Sequence, residues 1–84
     1  MTYVRNSNEL AATLRRARQY RGLTQKEVAM QLNIDRSTYT YYELGRSLPS
    51  IFQLIKLSKI FNISITYFLI NGTPEKDAYF GLQI

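Results

Sequence analysis

The chain has 84 residues, 45 % of them apolar, and a formal net charge of +5. That length fits one domain with a modest core, and the apolar fraction is that of a globular chain rather than a disordered one. There is no Cys and no His, which excludes a disulfide framework and thiolate chemistry and removes the commonest metal ligand and general base.

Residues 1–6 read as a frayed lead-in, MTYVRN, with no apolar run of signal-peptide or membrane-spanning length. A cytoplasmic protein with no membrane partner is expected. Ser7 is the predicted N-cap of a first helix, with Glu9 in its first turn. Leu10, Leu14 and Ala17 form the apolar stripe of that helix. Arg15, Arg16, Arg18 and Arg21 carry charge mostly off it, and Gly22 is a left-handed stop. After only Gly22 and Leu23, Thr24 and Glu27 form a capping box for a second helix. Its apolar stripe is Val28, Ala29 and Leu32. Asn33, which tolerates a left-handed backbone, makes the corner. Asp35 is the expected N-cap of a third helix over residues 36–43, on which Tyr39 and Tyr42 share one face.

Gly45 ends the third helix, and residues 44–49 are a loop. Ser50 with Gln53 is a second capping box. The fourth helix runs to about Phe61, with Ile51, Leu54, Leu57 and Phe61 inward. Asn62 stops it, Ile63 belongs to the core, and Ser64 caps a short fifth helix over residues 65–70. Five helices with short connections describe an all-α compact domain over residues 1–72. Residues 73–84, TPEKDAYFGLQI, differ. Pro74 blocks a helix, and Ala78, Phe80, Leu82 and Ile84 alternate with other residues. The tail reads either as a frayed end or as an apolar segment that packs on its own domain or on a second subunit. Up to Gly72 there are ten basic residues against four acidic ones, a cationic surface suited to a polyanion.

Helix, tight corner, helix over residues 24–43 is the arrangement that sets one helix into a DNA major groove. Several features agree in register: Leu23-Thr24-Gln25, Ala29, the turn at Asn33, Glu43-x-Gly45, Pro49-Ser50 and the apolar spacing of the fourth helix. On these the chain resembles the Cro/repressor-type, or Xre, helix-turn-helix family over residues 8–71. The resemblance implies a lambda-repressor-like five-helix fold and sequence-specific binding of double-stranded DNA. It implies a transcriptional regulator, expected as a dimeric repressor on a two-fold operator. The second helix would cross the DNA backbone and the third would read the groove.

With Tyr39 and Tyr42 inward, Arg36, Ser37, Thr40 and Tyr41 face the groove. An Arg36 fork can bond guanine O6 and N7 together. Ser37 and Thr40 can bond base edges or phosphates, and Tyr41 can lay its ring on a thymine methyl or its hydroxyl on a phosphate. Thr38 stands between packing and base contact. At the positive end of the second helix, Thr24 and Gln25 suit phosphate, and the family's residue at the Gln25 position also braces a base-reading side chain in some members. Arg46 matches a family position that holds phosphate. The resemblance also implies a structural pair, Arg18 with Glu43, that fixes the third helix against the first.

Two departures stand out. Asn33 replaces the common turn Gly, and Tyr39 replaces the usual Ile or Val, so that a larger ring needs room, with its hydroxyl directed at the surface or a phosphate. Phe52, Ile60, Ile65, Tyr67 and Ile70 exceed what the helix stripes need, and surplus apolar surface marks contacts. Since the family's dimer interface commonly lies near the last helix, Ile65, Tyr67, Ile70 and Phe80 are expected to form it, the alternative being a larger monomer core. An interaction module such as an antitoxin is the other functional reading, favoured by the apolar tail. Without His, Cys or a convergent carboxylate cluster, no enzyme activity, metal or cofactor is expected, and no small-molecule ligand is evident.

Overall fold

Among the described residues four adopt left-handed backbone conformations, Gly22 (φ 72°), Asn33 (60°), Gly45 (76°) and Asn62 (56°). Each falls where one helix gives way to the next. The structure, a computed structural model, describes residues 7–69. Within them lie five helices: α1 (Ser7–Tyr20), α2 (Gln25–Leu32), α3 (Arg36–Leu44), α4 (Ile51–Phe61) and α5 (Thr66–Leu69). Among the described residues no helix is long and apolar enough to cross a membrane.

All four corners close the same way. The N–H beyond the left-handed residue returns to the carbonyl five positions back: Leu23 to Arg18, Ile34 to Ala29, Arg46 to Tyr41 and Ile63 to Ser58, at 2.9–3.1 Å. This satisfies carbonyls that the helix end would otherwise orphan. In three corners the returning residue is apolar and packs on the core, as Leu23, Ile34 and Ile63 do. At the end of α3 it is Arg46, which is exposed.

The helix starts are less uniform. Thr24 Oγ1 accepts from Glu27 N at 3.0 Å and Thr24 N donates to Glu27 Oε1 at 2.8 Å, a complete capping box. Ser50 Oγ accepts from Gln53 N at 3.1 Å, but the reciprocal half is absent, and Gln53 Oε1 is buried with no hydrogen-bond partner among the described residues. Asp35 has the extended backbone of an N-cap yet makes no side-chain cap bond, so its carboxylate acts only through the helix dipole. α5 begins at Thr66, one residue later than expected, with Ser64 Oγ accepting from Thr66 N.

The core joins Leu10, Leu14 and Ala17 of α1, Val28, Ala29 and Leu32 of α2, Tyr39 and Tyr42 of α3, Leu54, Leu57 and Phe61 of α4, and Ile63, Tyr67 and Phe68. α1 and α2 both pack on α3, α2 also meets α4, and α5 closes against α1. Ala29 is small where these helices approach. Arg21, at the end of α1, donates through Nε to the Phe61 carbonyl (2.6 Å) and through Nη2 to the Asn62 carbonyl (3.2 Å), tying α1 to the end of α4.

Two apolar expectations are corrected. Ile51 lies in the first turn of α4 and is exposed, while the inward stripe starts at Leu54. Tyr67 is fully buried, its ring edge-on to Phe68 at 5.8 Å between centroids. It belongs to the chain's own core and offers no surface to a second copy. Ile65 is half-buried against that core. Ile70, Phe80 and the rest of the 73–84 tail lie outside the described residues.

Candidate nucleic-acid interface

Three buried residues set the rotation of α3. Tyr39 and Tyr42 pack edge to face, with ring centroids 6.1 Å apart, and Glu43 joins them at 4 % exposure. A helix that buries positions 39, 42 and 43 turns positions 36, 37, 40 and 41 outward. Arg36, Ser37 and Tyr41 are exposed, and Thr40 is half-buried.

A carboxylate is costly to bury unless several donors meet it. Glu43 meets four. Tyr39 Oη donates to Oε2 at 2.5 Å. Arg18 of α1 donates through Nε to Oε2 (2.7 Å) and through Nη2 to Oε1 (3.1 Å). Gln25 of α2 donates through Nε2 to Oε1 at 3.0 Å. Arg18 also donates to the Leu23 carbonyl at 3.0 Å. One carboxylate thus gathers α1, α2 and α3. Burial pushes its pKa up, but the hydrogen bonds from Arg18, Tyr39 and Gln25 outweigh that and hold it below the ordinary carboxylate value. Burial, with the hydrogen bond to Glu43, pushes the Tyr39 phenol far above its usual range.

The Tyr39 hydroxyl was expected at the surface or on a phosphate. It points inward instead, because the buried carboxylate one helical turn on is its hydrogen-bond acceptor. The network then continues outward, since Thr40 Oγ1 donates to Gln25 Oε1 at 2.9 Å.

Gln25, Arg36, Ser37, Thr40 and Tyr41 line one open hollow of about 310 Å³. The four α3 residues singled out in the sequence therefore share a face with Gln25, and among the described residues no carboxylate lines it. Thr24 precedes this face but uses its hydroxyl for the capping box. Arg46 lies beyond the other end of α3, outside the hollow, and Thr38 is half-buried away from it. Chemically the hollow offers a guanidinium fork, hydroxyls and one amide, a set for bonding base edges and phosphates rather than for acid–base work. Among the described residues no three of His, Cys, Asp and Glu gather to hold a metal ion.

Sequence reasoning missed the role of Arg21, whose partners lie forty residues away in the chain. It also missed the polarity of the Gln25 bridge. Nothing in the spacing of Gln25, Thr40 and Glu43 announces a shared network.

Comparison with known proteins agrees with this geometry. A family model described as helix-turn-helix matches residues 14–68. The chain is 40 % identical over 63 residues to an uncharacterized HTH-type transcriptional regulator, YqaE, of Bacillus subtilis (strain 168), covering 75 % of this chain and 54 % of the relative. It is 42 % identical over 60 residues to the HTH-type transcriptional regulator ImmR of the same organism, covering 71 % and 47 %. The chain thus spans about half the length of the curated relatives it matches. Among solved structures, the restriction-modification controller protein C.AhdI from Aeromonas hydrophila superposes with a TM-score of 0.67 at 27 % identity, covering 71 % of this chain and 87 % of that one. The hypothetical transcription factor NHTF from Neisseria shares the fold, with a TM-score of 0.74 at 22 % identity over 88 % of this chain and 83 % of that one.

Proposed function

Because this chain belongs to the Xre-type helix-turn-helix family, we propose that it is a sequence-specific double-stranded DNA-binding transcriptional regulator, a dimeric repressor that lays α3 in the major groove. The observation that carries this reading is the hollow where Arg36, Ser37, Thr40 and Tyr41 meet Gln25 with no carboxylate among them. Arg36 opens α3, and the first residues of a recognition helix reach furthest toward the bases. It reads guanine through its fork. Ser37 and Tyr41 contact base edges or phosphates beside it, while Thr24 and Gln25 hold phosphate on one flank and Arg46 on the other. Arg46 supports this by its setting, since it stands exposed where the other three helix corners place an apolar residue on the core. The protein acts in the cytoplasm.

A two-fold dimer sets two copies of α3 about 34 Å apart, one turn of duplex. Tyr67 is taken up by the core, and besides the expected α5 and tail residues Ile65, Ile70 and Phe80 the start of α4 offers a face for the second copy. There Phe52 is 73 % exposed, with Leu48, Ile51 and Ile55 beside it in sequence and Leu44 at the end of α3. Ile51, Phe52 and Ile55 stand at helical spacing on α4, and exposed apolar side chains grouped in this way mark a contact surface.

The test is affinity for a selected duplex, measured across salt concentration. Log affinity should fall with log salt by about 0.9 per phosphate contacted. Arg36→Ala should cost about 1–3 kcal/mol and relax one base preference. An Arg36→Ala chain that bound every sequence as well as the parent would remove α3 from the reading role.

A further inference from the structure

Glu43 is a carboxylate, and an ionised carboxylate only accepts hydrogen bonds. It takes one from Gln25 Nε2 at 3.0 Å, and this decides which end of the Gln25 amide faces inward. Flipping the amide would set oxygen against oxygen. Gln25 Oε1 is therefore turned toward α3, where it accepts the Thr40 hydroxyl proton at 2.9 Å. A threonine hydroxyl has one proton to give and two lone pairs to offer. With the proton committed to Gln25, the Thr40 oxygen shows the hollow only lone pairs.

We propose that Thr40 reads its base pair as an obligate hydrogen-bond acceptor, so that the operator carries a donor, adenine N6 or cytosine N4, at the atom Thr40 faces. This rests on the reading of α3 as the recognition helix. An unrestrained Ser or Thr hydroxyl suits a donor or an acceptor equally. Here the choice is made behind the interface, with Gln25 as the positioning residue and buried Glu43 setting its polarity. Arg18 and Tyr39 hold Glu43 in place through its remaining contacts. The consequence is selective. Changing adenine to guanine replaces N6 with the acceptor O6, and changing cytosine to thymine replaces N4 with the acceptor O4. Either transition brings lone pairs against lone pairs, so this position should discriminate purine from purine, or pyrimidine from pyrimidine.

The experiment is selection of bound duplexes from a random pool with the parent chain, Thr40→Val, Thr40→Ser and Gln25→Ala, after thermal melting shows each variant folded. The parent should enrich several positions, one of them adenine or cytosine. Thr40→Val, nearly the same shape without the hydroxyl, should lose preference at that position alone, and Thr40→Ser should keep it. Gln25→Ala should flatten the same transition preference by roughly threefold to tenfold, the value of one neutral hydrogen bond. Loss of the phosphate contact proposed for Gln25 adds a weakening common to all sequences, so the flattening is read as the ratio between the two bases of the transition, and a Gln25→Ala chain that is uniformly weaker with that ratio unchanged would overturn the bracing role. In a chosen duplex, replacing the exocyclic amino group of that base by hydrogen should weaken the parent by the same factor and leave Thr40→Val unmoved. The proposal is overturned if the position that answers to Thr40→Val carries guanine or thymine, or if other positions enrich and none answers to Thr40. A parent that enriches no sequence overturns the DNA-reading assignment itself, and this proposal with it.

Discussion

Replacing Glu43 with Ala removes the acceptor of four hydrogen bonds from three helices, and the loss can be worked out from what it strands. The Tyr39 hydroxyl, on a residue that is 0 % exposed, is left without its acceptor, at about 1–3 kcal/mol. Breaking a buried ion pair costs about 3–5 kcal/mol. Arg18 keeps its bond to the Leu23 carbonyl and 14 % of its side-chain exposure, which places the pair at the low end of that range. The two losses overlap, since both arise from one carboxylate, so the total should be about 3–5 kcal/mol. A domain of this size is stable by only roughly 4–13 kcal/mol, so the variant should be close to unfolding. Urea denaturation followed by circular dichroism measures this, with Arg18→Met and the double variant completing a cycle whose coupling should reach about 1–3 kcal/mol. The pH profile supplies a second readout. The folded pKa of Glu43 lies below the ordinary 4.5, so as pH falls the unfolded chain takes up the proton first. The stability from this network is therefore full above about 4.5 and is lost as pH drops through the folded value. Glu43→Ala should lack that acid-sensitive component. A loss under 1 kcal/mol, or an acid profile unchanged from the parent, would refute the claim that this carboxylate holds α3 in place.

Gly45 combines a φ of 76° with a close approach, since an added Cβ would lie 2.6 Å from Asn8 Oδ1. Gly45→Ala should therefore cost about 1–3 kcal/mol of unfolding free energy, with part recovered in an Asn8→Ala background where only the contact is relieved. An unchanged urea midpoint would count against both terms. Arg46→Ala should weaken binding to all duplexes by a similar factor and lower the salt slope by about 1, so a change confined to one base pair would make Arg46 a base reader instead. Phe52→Lys should convert a dimer to a monomer by light scattering with little change in melting temperature. If that chain stays dimeric, the interface lies elsewhere.

The corners of this fold were legible because their chemistry is local. Gly22, Asn33, Gly45 and Asn62 are the residue types that accept a left-handed backbone, and each is where a helix ends. Thr24 with Glu27 was legible for the same reason, as the capping box needs only residues three apart. Exposure was harder to read. Ile51 and Leu54 are both apolar at helical spacing, and only the placement of neighbouring helices decides that Leu54 is covered and Ile51 is not. Tyr67 was misplaced because surplus apolar residues look alike in sequence whether they fill a core or await a partner. The outward set on α3 was legible because burying positions 39 and 42 leaves little freedom for positions 36, 37, 40 and 41. The direction of the hydrogen bonds behind that set was not, because it depends on contacts between residues 4, 15, 18 and 25 positions apart.

Tyr39 links these two levels. An aliphatic residue at that position would fill the core but leave Glu43 with donors only from Arg18 and Gln25. The tyrosine adds a donor from α3 itself, so the carboxylate is held on its own helix as well as on α1 and α2. The oxygen that Gln25 bonds is thereby fixed relative to Thr40, which lies on the same helix one residue beyond Tyr39. Stability and base preference then share a residue. Glu43→Gln keeps the shape but turns an obligate acceptor into a group with both donor and acceptor ends, so Gln25 can settle either way round and Thr40 regains its proton for the groove. Arg36 stands apart from this, exposed at the start of α3 and reached by none of these bonds. Substitutions in the network should therefore shift the preference proposed for the Thr40 position while leaving in force the guanine preference proposed for Arg36.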